Sequence, residues 1–295
     1  MTIAKENLLA GKVAIITGAS EGLGFEIARQ FILQGASLCI CSRDKRKISL
    51  AESELKKMVG KSQSVFSMVV DVSDNNRCDE FITDAINRHQ RIDILVNNAG
   101  VYGPFGEVTQ ENWSDWIQAL QINVFGSVYM SSRVIPIMKK NMKGKIIQLS
   151  GGGATNPLPF ISAYACSKAA IVRYAETLAE ELRDYNIDVN SIAPGPLNTR
   201  MLEMVLEAGP DTVGYDFYEK SKKQKATGGV SLEVGAKLAV FLASEKSNGI
   251  SGKLISAVWD NWEIWPEHIT ELNSSDIYTL RRIIGKDRQK KWGDK

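Results

Sequence analysis

The feature that most limits the fold of this chain is a regular alternation of short apolar runs with helical segments. Residues 12–18, KVAIITG, are rich in β-branched side chains and end in glycine, as is typical of a buried strand, and residues 25–35, FEIARQFILQG, follow with helical spacing. Helical segments also separate the later apolar runs, at residues 37–42, 64–72, 92–100, 144–150 and 187–195. This alternation predicts an α/β fold in which a doubly wound parallel sheet, with right-handed crossovers, lies between two layers of helices.

Composition is that of an ordinary globular protein. Of the 295 residues, 44% are hydrophobic and 24% are charged, and the formal net charge is only +2. This balance argues against a nucleic-acid partner. The sequence contains no run of 18 apolar residues, and its N-terminus lacks the order of regions that a signal peptide needs, so no membrane partner is expected.

The number and spacing of the cysteines and histidines limit which metal and catalytic sites the chain can form. The four cysteines, at positions 39, 41, 78 and 166, have no metal-ligand spacing, which indicates reduced thiols in a cytoplasmic protein. The two histidines, His89 and His268, have no motif around them. A protein metal centre and a Ser-His-Asp triad are therefore not expected.

A glycine-rich turn joins the first predicted strand to the first predicted helix. In TGASEGLG, residues 17–24, the glycines follow the spacing G-x-x-x-G-x-G. Glycines at this place let the chain turn tightly and let a phosphate approach backbone amides at a helix N-terminus. The turn predicts a dinucleotide site, although a glycine-rich turn that binds no ligand could have the same sequence.

Four motifs in a fixed order give the chain a family resemblance. They are TGASEGLG, NNAG (97–100), YACSK (164–168) and PGPLNT (194–199). Together they resemble the short-chain dehydrogenase/reductase superfamily, the smaller soluble type, over residues 10–255. The resemblance implies a single Rossmann-fold domain, residues 1–258, in three α/β/α layers. Residues 201–229, which are polar and contain glycine, would form an irregular, mobile substrate lid.

The resemblance also implies where a nicotinamide dinucleotide binds. The first motif would hold the pyrophosphate, an Asp after the third strand would meet the adenine, the Asn of NNAG would steady the central strand beside the adenosine, and PGPLNT would meet the nicotinamide carboxamide. The residues implied in cofactor binding are Gly18, Ser20, Glu21, Gly22, Leu23, Gly24, Ser42, Arg43, Asp71, Val72, Asn97, Ala99, Gly100, Tyr164, Lys168, Pro194, Gly195, Leu197 and Thr199.

The end of the second predicted strand bears on the choice of cofactor. An acidic residue there would accept hydrogen bonds from both ribose hydroxyls, whereas a small residue followed by Arg makes room for a 2'-phosphate and pairs with it. The chain has Ser42 followed by Arg43, which favours NADP(H) over NAD(H). Asp44 and Glu21 carry charges that oppose Arg43, so a solvated surface Arg43 and the use of NAD(H) stay open.

Tyr164 and Lys168 lie one helical turn apart and on one face of a predicted helix, so they can act together. A free tyrosine has a pKa near 10, and a cation about 5 Å away contributes roughly 3 kcal/mol at an effective dielectric of 20. Lys168 and an oxidised nicotinamide are thus expected to lower the pKa of Tyr164 and make it a general base, or an acid in the reverse direction. The resemblance adds Lys168 as a ribose ligand and Asn123 as a residue whose backbone carbonyl holds a water linked to Lys168.

One expected hydroxyl is missing from this set. The resemblance places a substrate-binding Ser about 13 residues before the Tyr, where this chain has Gly151. Ser150, one residue earlier, should point to the opposite side of the strand. Three explanations stay open: Ser150 or the amides of Gly151–Gly153 donate to the substrate, the substrate supplies its own hydroxyl, or activity has been lost. Loss of one donor typically costs about 10² to 10³ in rate, which favours a working enzyme with Ser150 among its catalytic candidates.

The C-terminal extension, residues 259–295, departs most from the family pattern. Trp259, Trp262 and Trp265 recur at three-residue spacing, which favours packing on the domain or at a subunit interface over stacking on a sugar ring. The resemblance suggests a homodimer through the helices that hold Asn123 and Tyr164, or a homotetramer built from two such dimers.

These observations predict an NADP(H)-dependent oxidoreductase that interconverts a secondary alcohol and a ketone. Its small-molecule substrate would be a sugar, a nucleotide-sugar derivative or an oxo-acyl compound. An epimerase or dehydratase with tightly held nucleotide is one alternative, and a nucleotide-binding sensor or scaffold without turnover is another. Net consumption of cofactor separates the first from the second, and binding without turnover identifies the third.

Overall fold

Seven strands form one parallel sheet within residues 7–109, 112–290 and 292, the part of the chain that the computed structural model describes. In chain order the strands are β1 (Val13–Thr17), β2 (Ser37–Ser42), β3 (Val65–Val69), β4 (Ile94–Asn97), β5 (Gly144–Leu149), β6 (Ile187–Ala193) and β7 (Leu254–Ser256). Across the sheet they run β3-β2-β1-β4-β5-β6-β7, which confirms the predicted doubly wound sheet. The strand order reverses between β1 and β4, where sheets of this kind hold their ligands beyond the carboxyl ends of the strands.

The central strands are apolar on both faces because helices cover both. All five residues of β1 and all six of β5 are buried. Ile16 and Ile147 lie in one apolar cluster with residues of three helices, while Ile15 and Ile146 lie in a second cluster on the opposite face. Continuous apolar runs, rather than alternating ones, are the expected signature of such strands.

The helices occupy two layers. They are α1 (Gly22–Leu33), α2 (Lys45–Lys56), α3 (Asn75–His89), α4 (Trp113–Leu120), α5 (Ser127–Lys140), α6 (Ser162–Leu182), α7 (Arg200–Ala208), α8 (Pro210–Val213), α9 (Tyr215–Thr227), α10 (Leu232–Ala243) and α11 (Ile269–Ser274). Helices α1, α2 and α10 pack in the first cluster, and α3, α5 and α6 pack in the second, so the three layers are confirmed. A π-helical turn, Gln121–Gly126, joins α4 to α5.

The segment at residues 201–229 is helical, so the prediction of an irregular chain there was wrong. Helices α7, α8 and α9 fill it, and the breaks between them fall at Gly209 and Gly214, whose φ angles are +78° and +80°. Only a narrow apolar stripe, which includes Leu202 and Val205, is buried. Since the other faces are polar and two glycines interrupt the pattern, the helical period is hard to see in the sequence.

The chain after Gly252 continues the sheet before it forms the tail. Strand β7 pairs in parallel with β6, and the backbone N–H of Leu254 in β7 donates to the carbonyl of Tyr278 at 2.8 Å. Lys253 Nζ donates to the carbonyls of Ser275 and Ile277, at 3.2 and 3.1 Å. The tail therefore returns along the outer edge of β7.

The tryptophans of the tail divide into two that pack and one that does not. Trp265 is buried, and its ring centroid lies 4.4 Å from that of Tyr278. The ring of Trp262 lies 5.1 Å from that of Phe241 in α10. Trp259, by contrast, is 74% exposed. The domain boundary at residue 258 stays a prediction.

Candidate active site

The glycine turn between β1 and α1 packs directly against the end of β4. Gly18 has a φ of +64°, and a Cβ there would lie 2.8 Å from the Cα of Ala99. A Cβ on Gly24 would lie 2.5 Å from the carbonyl oxygen of Gly18. Residues with side chains are excluded at both positions, so the backbone of this turn can face a ligand closely.

Asn98 locks this turn to β4, and sequence reasoning missed it. Its Nδ2 donates to the carbonyls of Thr17 and Gly18, both at 3.0 Å. The backbone N–H groups of Asn98 and Ala99 both donate to Thr17 Oγ1 at 3.1 Å. Asn97, which was predicted instead, turns its Nδ2 toward the Ser131 hydroxyl at 3.0 Å in the interior. Because successive strand residues point to opposite faces, the pair in NNAG had to divide in this way.

The N-terminus of α1 is suited to a phosphate group. Glu21 is its N-cap residue, and its side chain makes no capping hydrogen bond to the first turn. The first N–H groups of a helix have no partner inside the helix, so those at Gly22, Leu23 and Gly24 can point toward an anion. Gly22 also faces Thr199, since a Cβ on Gly22 would lie 3.6 Å from Thr199 Cγ2. The first and fourth motifs therefore meet across the crevice, and the residues present fit a dinucleotide.

The carboxyl end of β2 presents an arginine with no competing acid. Ser20 Oγ donates to Ser42 Oγ at 2.9 Å, which joins the glycine turn to β2. Glu21 forms an ion pair with Lys47 at 2.8 Å, and Asp44 caps α2 by accepting from the Lys47 N–H at 2.9 Å. Arg43 is exposed, and no ion pair or hydrogen bond joins it to another described residue. The two acids that were expected to oppose Arg43 are both engaged elsewhere.

The other predicted cofactor residues lie around the same crevice. Asp71 follows β3, and its Oδ1 accepts from the N–H and the hydroxyl of Ser73, at 3.0 and 2.6 Å. Val72 is buried against Gly126 in the π-helical turn. After β6, the Gln224 amide of α9 donates to the Leu197 carbonyl at 3.0 Å, so α9 packs on the PGPLNT loop, and a substrate lid at residues 201–229 stays a prediction. Direct contacts of all these residues with a cofactor stay predictions, among them Gly100, Pro194 and Gly195.

Tyr164 and Lys168 lie on one face of α6, both buried. Lys168 Nζ is 5.4 Å from the centre of the Tyr164 ring and donates to the carbonyl of Leu149, at the end of β5, at 2.7 Å. This contact leaves two N–H groups of the ammonium for other acceptors. The structure thus brings the two residues together at the carboxyl edge of the sheet, as the sequence predicted.

The pKa shifts in this pair differ from the sequence expectation. Burial lowers the pKa of Lys168 from its ordinary 10.5 to about 8. Burial, and secondarily the neighbouring phenol of Tyr102, raises the pKa of Tyr164 above its ordinary value. In the chain by itself, the loss of hydration therefore raises this pKa, and the lowering expected with an oxidised nicotinamide bound stays a prediction. Tyr164 is a neutral phenol at physiological pH and can act as a proton donor.

Asn123 holds a loop through its side chain. Its Oδ1 accepts from the N–H of Val101 and its Nδ2 donates to the carbonyl of Val101, both at 2.8 Å. The same Nδ2 donates to the hydroxyl of Ser167 in α6 at 2.9 Å. The Asn123 carbonyl accepts from the Ser127 hydroxyl at 3.1 Å. The water at this carbonyl stays a prediction, while the side chain fixes the loop beside Tyr164.

Gly151 lies against the Tyr164 hydroxyl. A Cβ on residue 151 would overlap Tyr164 Oη and would lie 3.2 Å from the ring carbon that carries it. Ser150 continues the β5 ladder, its N–H donating to the Ile192 carbonyl at 2.8 Å. Its hydroxyl is buried and has no hydrogen-bond partner among the residues that the structure describes. The position of Tyr164 therefore depends on a glycine at 151.

Two further features concern classes of partner. None of the described helices is both long enough and apolar enough to cross a bilayer. Within the same residues, no three His, Cys, Asp or Glu side chains come together as a metal site.

Comparisons with known proteins agree with this geometry. The sequence model of the family described as short chain dehydrogenase matches residues 12–209. The mouse protein "Dehydrogenase/reductase SDR family member 4" is 31% identical over 253 residues, which cover 86% of this chain and 88% of its own length. The Thermotoga maritima "3-oxoacyl-[acyl-carrier-protein] reductase FabG" is 31% identical over 247 residues, covering 84% and 96%.

Solved structures show the same likeness. A 7α-hydroxysteroid dehydrogenase complexed with NADH and 7-oxo glycochenodeoxycholic acid matches with a TM-score of 0.75 and 30% identity, covering 87% of this chain and 96% of its own. NAD⁺-bound xylitol dehydrogenase matches with a TM-score of 0.74 and 25% identity, covering 84% and 98%. Since the family match runs from β1 to the end of α7, and relatives about 30% identical pair with more than four fifths of the chain, this protein belongs to the short-chain dehydrogenase/reductase family of NAD(P)-dependent oxidoreductases.

Proposed function

We propose that this protein is an NADP(H)-dependent reductase of ketones, which it interconverts with secondary alcohols. The observation that carries the proposal is the buried Tyr164–Lys168 pair at the carboxyl edge of the sheet, with the phenol neutral and the ammonium 5.4 Å from its ring. The nicotinamide cofactor, when bound, supplies or takes up a hydride. The residues of the chain then have to bind the carbonyl compound and move one proton.

Tyr164 supplies that proton. Its hydroxyl donates to the carbonyl oxygen of the substrate and transfers its proton to that oxygen as the carbonyl carbon receives the hydride. Lys168 lies beside the phenol and stabilises the phenolate that remains. In the reverse direction the phenolate accepts the proton of the alcohol. Because both side chains are buried, these charges act in a medium of low dielectric, where they are stronger than in water.

The preference for NADP(H) rests on the end of β2. Arg43 is exposed and uncommitted within the described part of the chain, while Glu21 and Asp44 are engaged with Lys47 and with the N-terminus of α2. A 2'-phosphate would meet the Arg43 guanidinium with no carboxylate between them. The two solved relatives named above hold NAD⁺ and NADH, which have no 2'-phosphate, so the preference for NADP(H) rests on the residues at the end of β2 alone.

The walls around Tyr164 support an apolar ketone. Tyr102 and Phe105 pack together beside it, with ring centroids 5.4 Å apart, and Leu158 lies next to Gly152 and Gly153. Phe160 packs against Gly214, where the lid helices approach. Among the predicted substrate classes, this lining supports an oxo-acyl compound over a sugar derivative, and it also suits a ring ketone. Two relatives are named for substrates of these kinds: one is a 3-oxoacyl reductase and the other a hydroxysteroid dehydrogenase.

Oxidation of NADPH in the presence of ketones tests the proposal. Acetophenone, a cyclic ketone and a 3-oxoacyl thioester would be compared with a nucleotide sugar. We expect turnover of at least one ketone by the wild type, and loss of that turnover in Tyr164→Phe with binding of NADPH retained. Tyr185→Phe, in the turn after α6, is the matched control and should behave as the wild type. Binding of NADPH without turnover of any substrate would instead favour the sensor or scaffold, which the glycine at 151 keeps open.

The assembly proposed is a homodimer across the π-helical turn between α4 and α5, which holds Asn123, and α6, which holds Tyr164. Trp113 in α4 and Phe125 in the π-helical turn are 69% and 61% exposed, which is unusual for large apolar side chains on neighbouring elements. Phe125→Glu would place a charge in this face and should yield a monomer by light scattering. Leu50→Glu, at an exposed position of α2, is the control. An unchanged mass for Phe125→Glu would contradict the interface.

The four free cysteines support a reducing, cytoplasmic location.

A further inference from the structure

The loop after β4 holds one tyrosine that the sequence motifs do not include. Val101 is bound through both its backbone groups by the Asn123 amide, at 2.8 Å each. A Cβ on Gly103 would lie 2.7 Å from the Cβ of Ala119 in α4, so this part of the loop packs tightly on the helix. The N–H of Gly106 donates to the Phe160 carbonyl at 2.9 Å. Contacts before and after residue 102 hold the loop, so the backbone from which the Tyr102 side chain extends has a fixed position.

The Tyr102 ring packs on the catalytic tyrosine. Its centroid lies 4.7 Å from that of Tyr164, and the two ring planes meet at 61°, an edge-to-face arrangement. Phe105 packs on Tyr102 with centroids 5.4 Å apart. Both neighbours hold the ring itself and leave its hydroxyl free. Across the described residues, the Tyr102 hydroxyl makes no hydrogen bond.

The electrostatics of the site show that the two phenols sense each other. Burial raises the pKa of Tyr102 to about 12, so its hydroxyl keeps its proton at physiological pH. The phenol of Tyr102 is also one of the two causes that raise the pKa of Tyr164. Tyr102 is half-buried and its hydroxyl is not among the buried atoms that lack a partner, so this hydroxyl can donate to a molecule that enters the site.

At the end of β5, the position where the resemblance places a serine carries no hydroxyl. Gly151 has no side chain, and Tyr164 Oη fills the space where one would begin. Ser150 is buried, and its place in the β5 ladder is fixed by the 2.8 Å hydrogen bond from its N–H to Ile192. The Tyr102 hydroxyl is therefore a candidate for the second donor to the substrate oxygen, and the unpartnered hydroxyl of Ser150 is its rival.

We infer that Tyr102 is a second catalytic hydroxyl, which donates a hydrogen bond to the ketone oxygen that Tyr164 protonates. This role rests on the proposed function. Tyr102 keeps its proton throughout: the proton that forms the new O–H bond leaves Tyr164, and Tyr102 stabilises the negative charge that develops on the oxygen while this happens. The flat ring of Tyr102 also requires that the ketone be flanked by an apolar or aromatic group on that side.

Tyr102→Phe tests this inference because it keeps the ring contacts with Tyr164 and Phe105 and removes only the hydroxyl. With the best ketone of the panel, we expect kcat to fall about 10²-fold while the KM for NADPH is unchanged. The loss should fall on kcat and leave the affinity for NADPH intact, a split that a distorted site would not show.

Two comparisons complete the experiment. Ser150→Ala tests the rival donor, and Tyr185→Phe is the control for the loss of a tyrosine hydroxyl elsewhere and should behave as the wild type. If Tyr102→Phe turned over as fast as the wild type, or if Ser150→Ala alone lost rate, Tyr102 would not be the second donor, and the proposed function would stand. If the wild type turned over no ketone with NADPH or NADH, the proposed function would fall and this role with it.

Discussion

Restoring the serine that the family resemblance leads one to expect at position 151 should slow this enzyme. Gly151→Ser adds a Cβ where the Tyr164 hydroxyl now lies, and Gly151→Ala adds the same atom without a hydroxyl. In both variants Tyr164 cannot keep its position. The change therefore tests whether the site has been rebuilt around a glycine or has only lost one donor.

The size of the effect follows from the geometry. A Cβ at residue 151 would overlap Tyr164 Oη and would lie 3.2 Å from the adjoining ring carbon, whereas ordinary contacts begin at 3.4 Å. The hydroxyl has to retreat by about 1 Å, and a displacement of this size typically costs about 10² in rate. The ring cannot swing away freely, because the edge-to-face contact with Tyr102 holds it at a centroid distance of 4.7 Å.

The assay is steady-state reduction of a ketone by NADPH, with binding of NADPH measured separately by fluorescence. We expect kcat to fall about 10²-fold in both Gly151→Ala and Gly151→Ser, with NADPH affinity retained. Gly152→Ala is the matched control, since a Cβ there would lie 3.3 Å from the flexible end of Leu158 and should cost little. A Gly151→Ser variant as fast as the wild type, or faster, would refute the argument.

Two further predictions concern charge. Lys168→Met should abolish turnover yet raise the free energy of unfolding at pH 7 by up to about 3 kcal/mol, because burial lowers the pKa of Lys168 from 10.5 to about 8. Between these pH values the unfolded chain binds the extra proton, so wild-type stability should rise with pH across this window and the variant should lack that rise, as chemical denaturation at several pH values would show. Lys145→Met is the control: it removes the 2.6 Å ion pair of Asp188 and should lower the free energy of unfolding. A lower free energy of unfolding in Lys168→Met would contradict the prediction. Arg43→Ala should raise the KM for NADPH about 10- to 100-fold and leave that for NADH nearly unchanged, with Arg46→Ala as the control; equal effects on both cofactors would exclude Arg43 as a phosphate ligand.

The sequence contained most of what decides the fold, because its signal is local. Buried parallel strands such as β1 and β5 show as unbroken apolar runs, and a glycine turn at the start of a helix marks the crevice. The Tyr164–Lys168 pair was predictable for the same reason, since helical spacing alone places both on one face. Strand β7 is only three residues long and polar at one end, so it gave no comparable signal.

Properties that arise from contacts between residues far apart in the sequence could not be predicted from it. The pKa of Tyr164 depends on how much water the fold removes, and that depends on α6, β5 and the Tyr102 loop together. Tyr102 itself stands outside every motif, and only its packing on Tyr164 reveals it. The role of Asn98 could have been predicted, because the side chains of two successive Asn residues at the end of a strand point to opposite faces of the sheet. Helices α7, α8 and α9 were not predicted, because their polar surface has the composition of a loop.

The return of the tail along β7 has a consequence for solubility. An outermost strand usually offers a row of bare amides and carbonyls to which another polypeptide can add itself. Here the Tyr278 carbonyl takes one of those amides, and the carboxylate of Glu176 holds the next residues by accepting from the Leu280 N–H at 2.6 Å. A chain cut before the tail would uncover this row together with the Trp262 and Trp265 sites, and such a fragment would tend to recruit its own copies into aggregates.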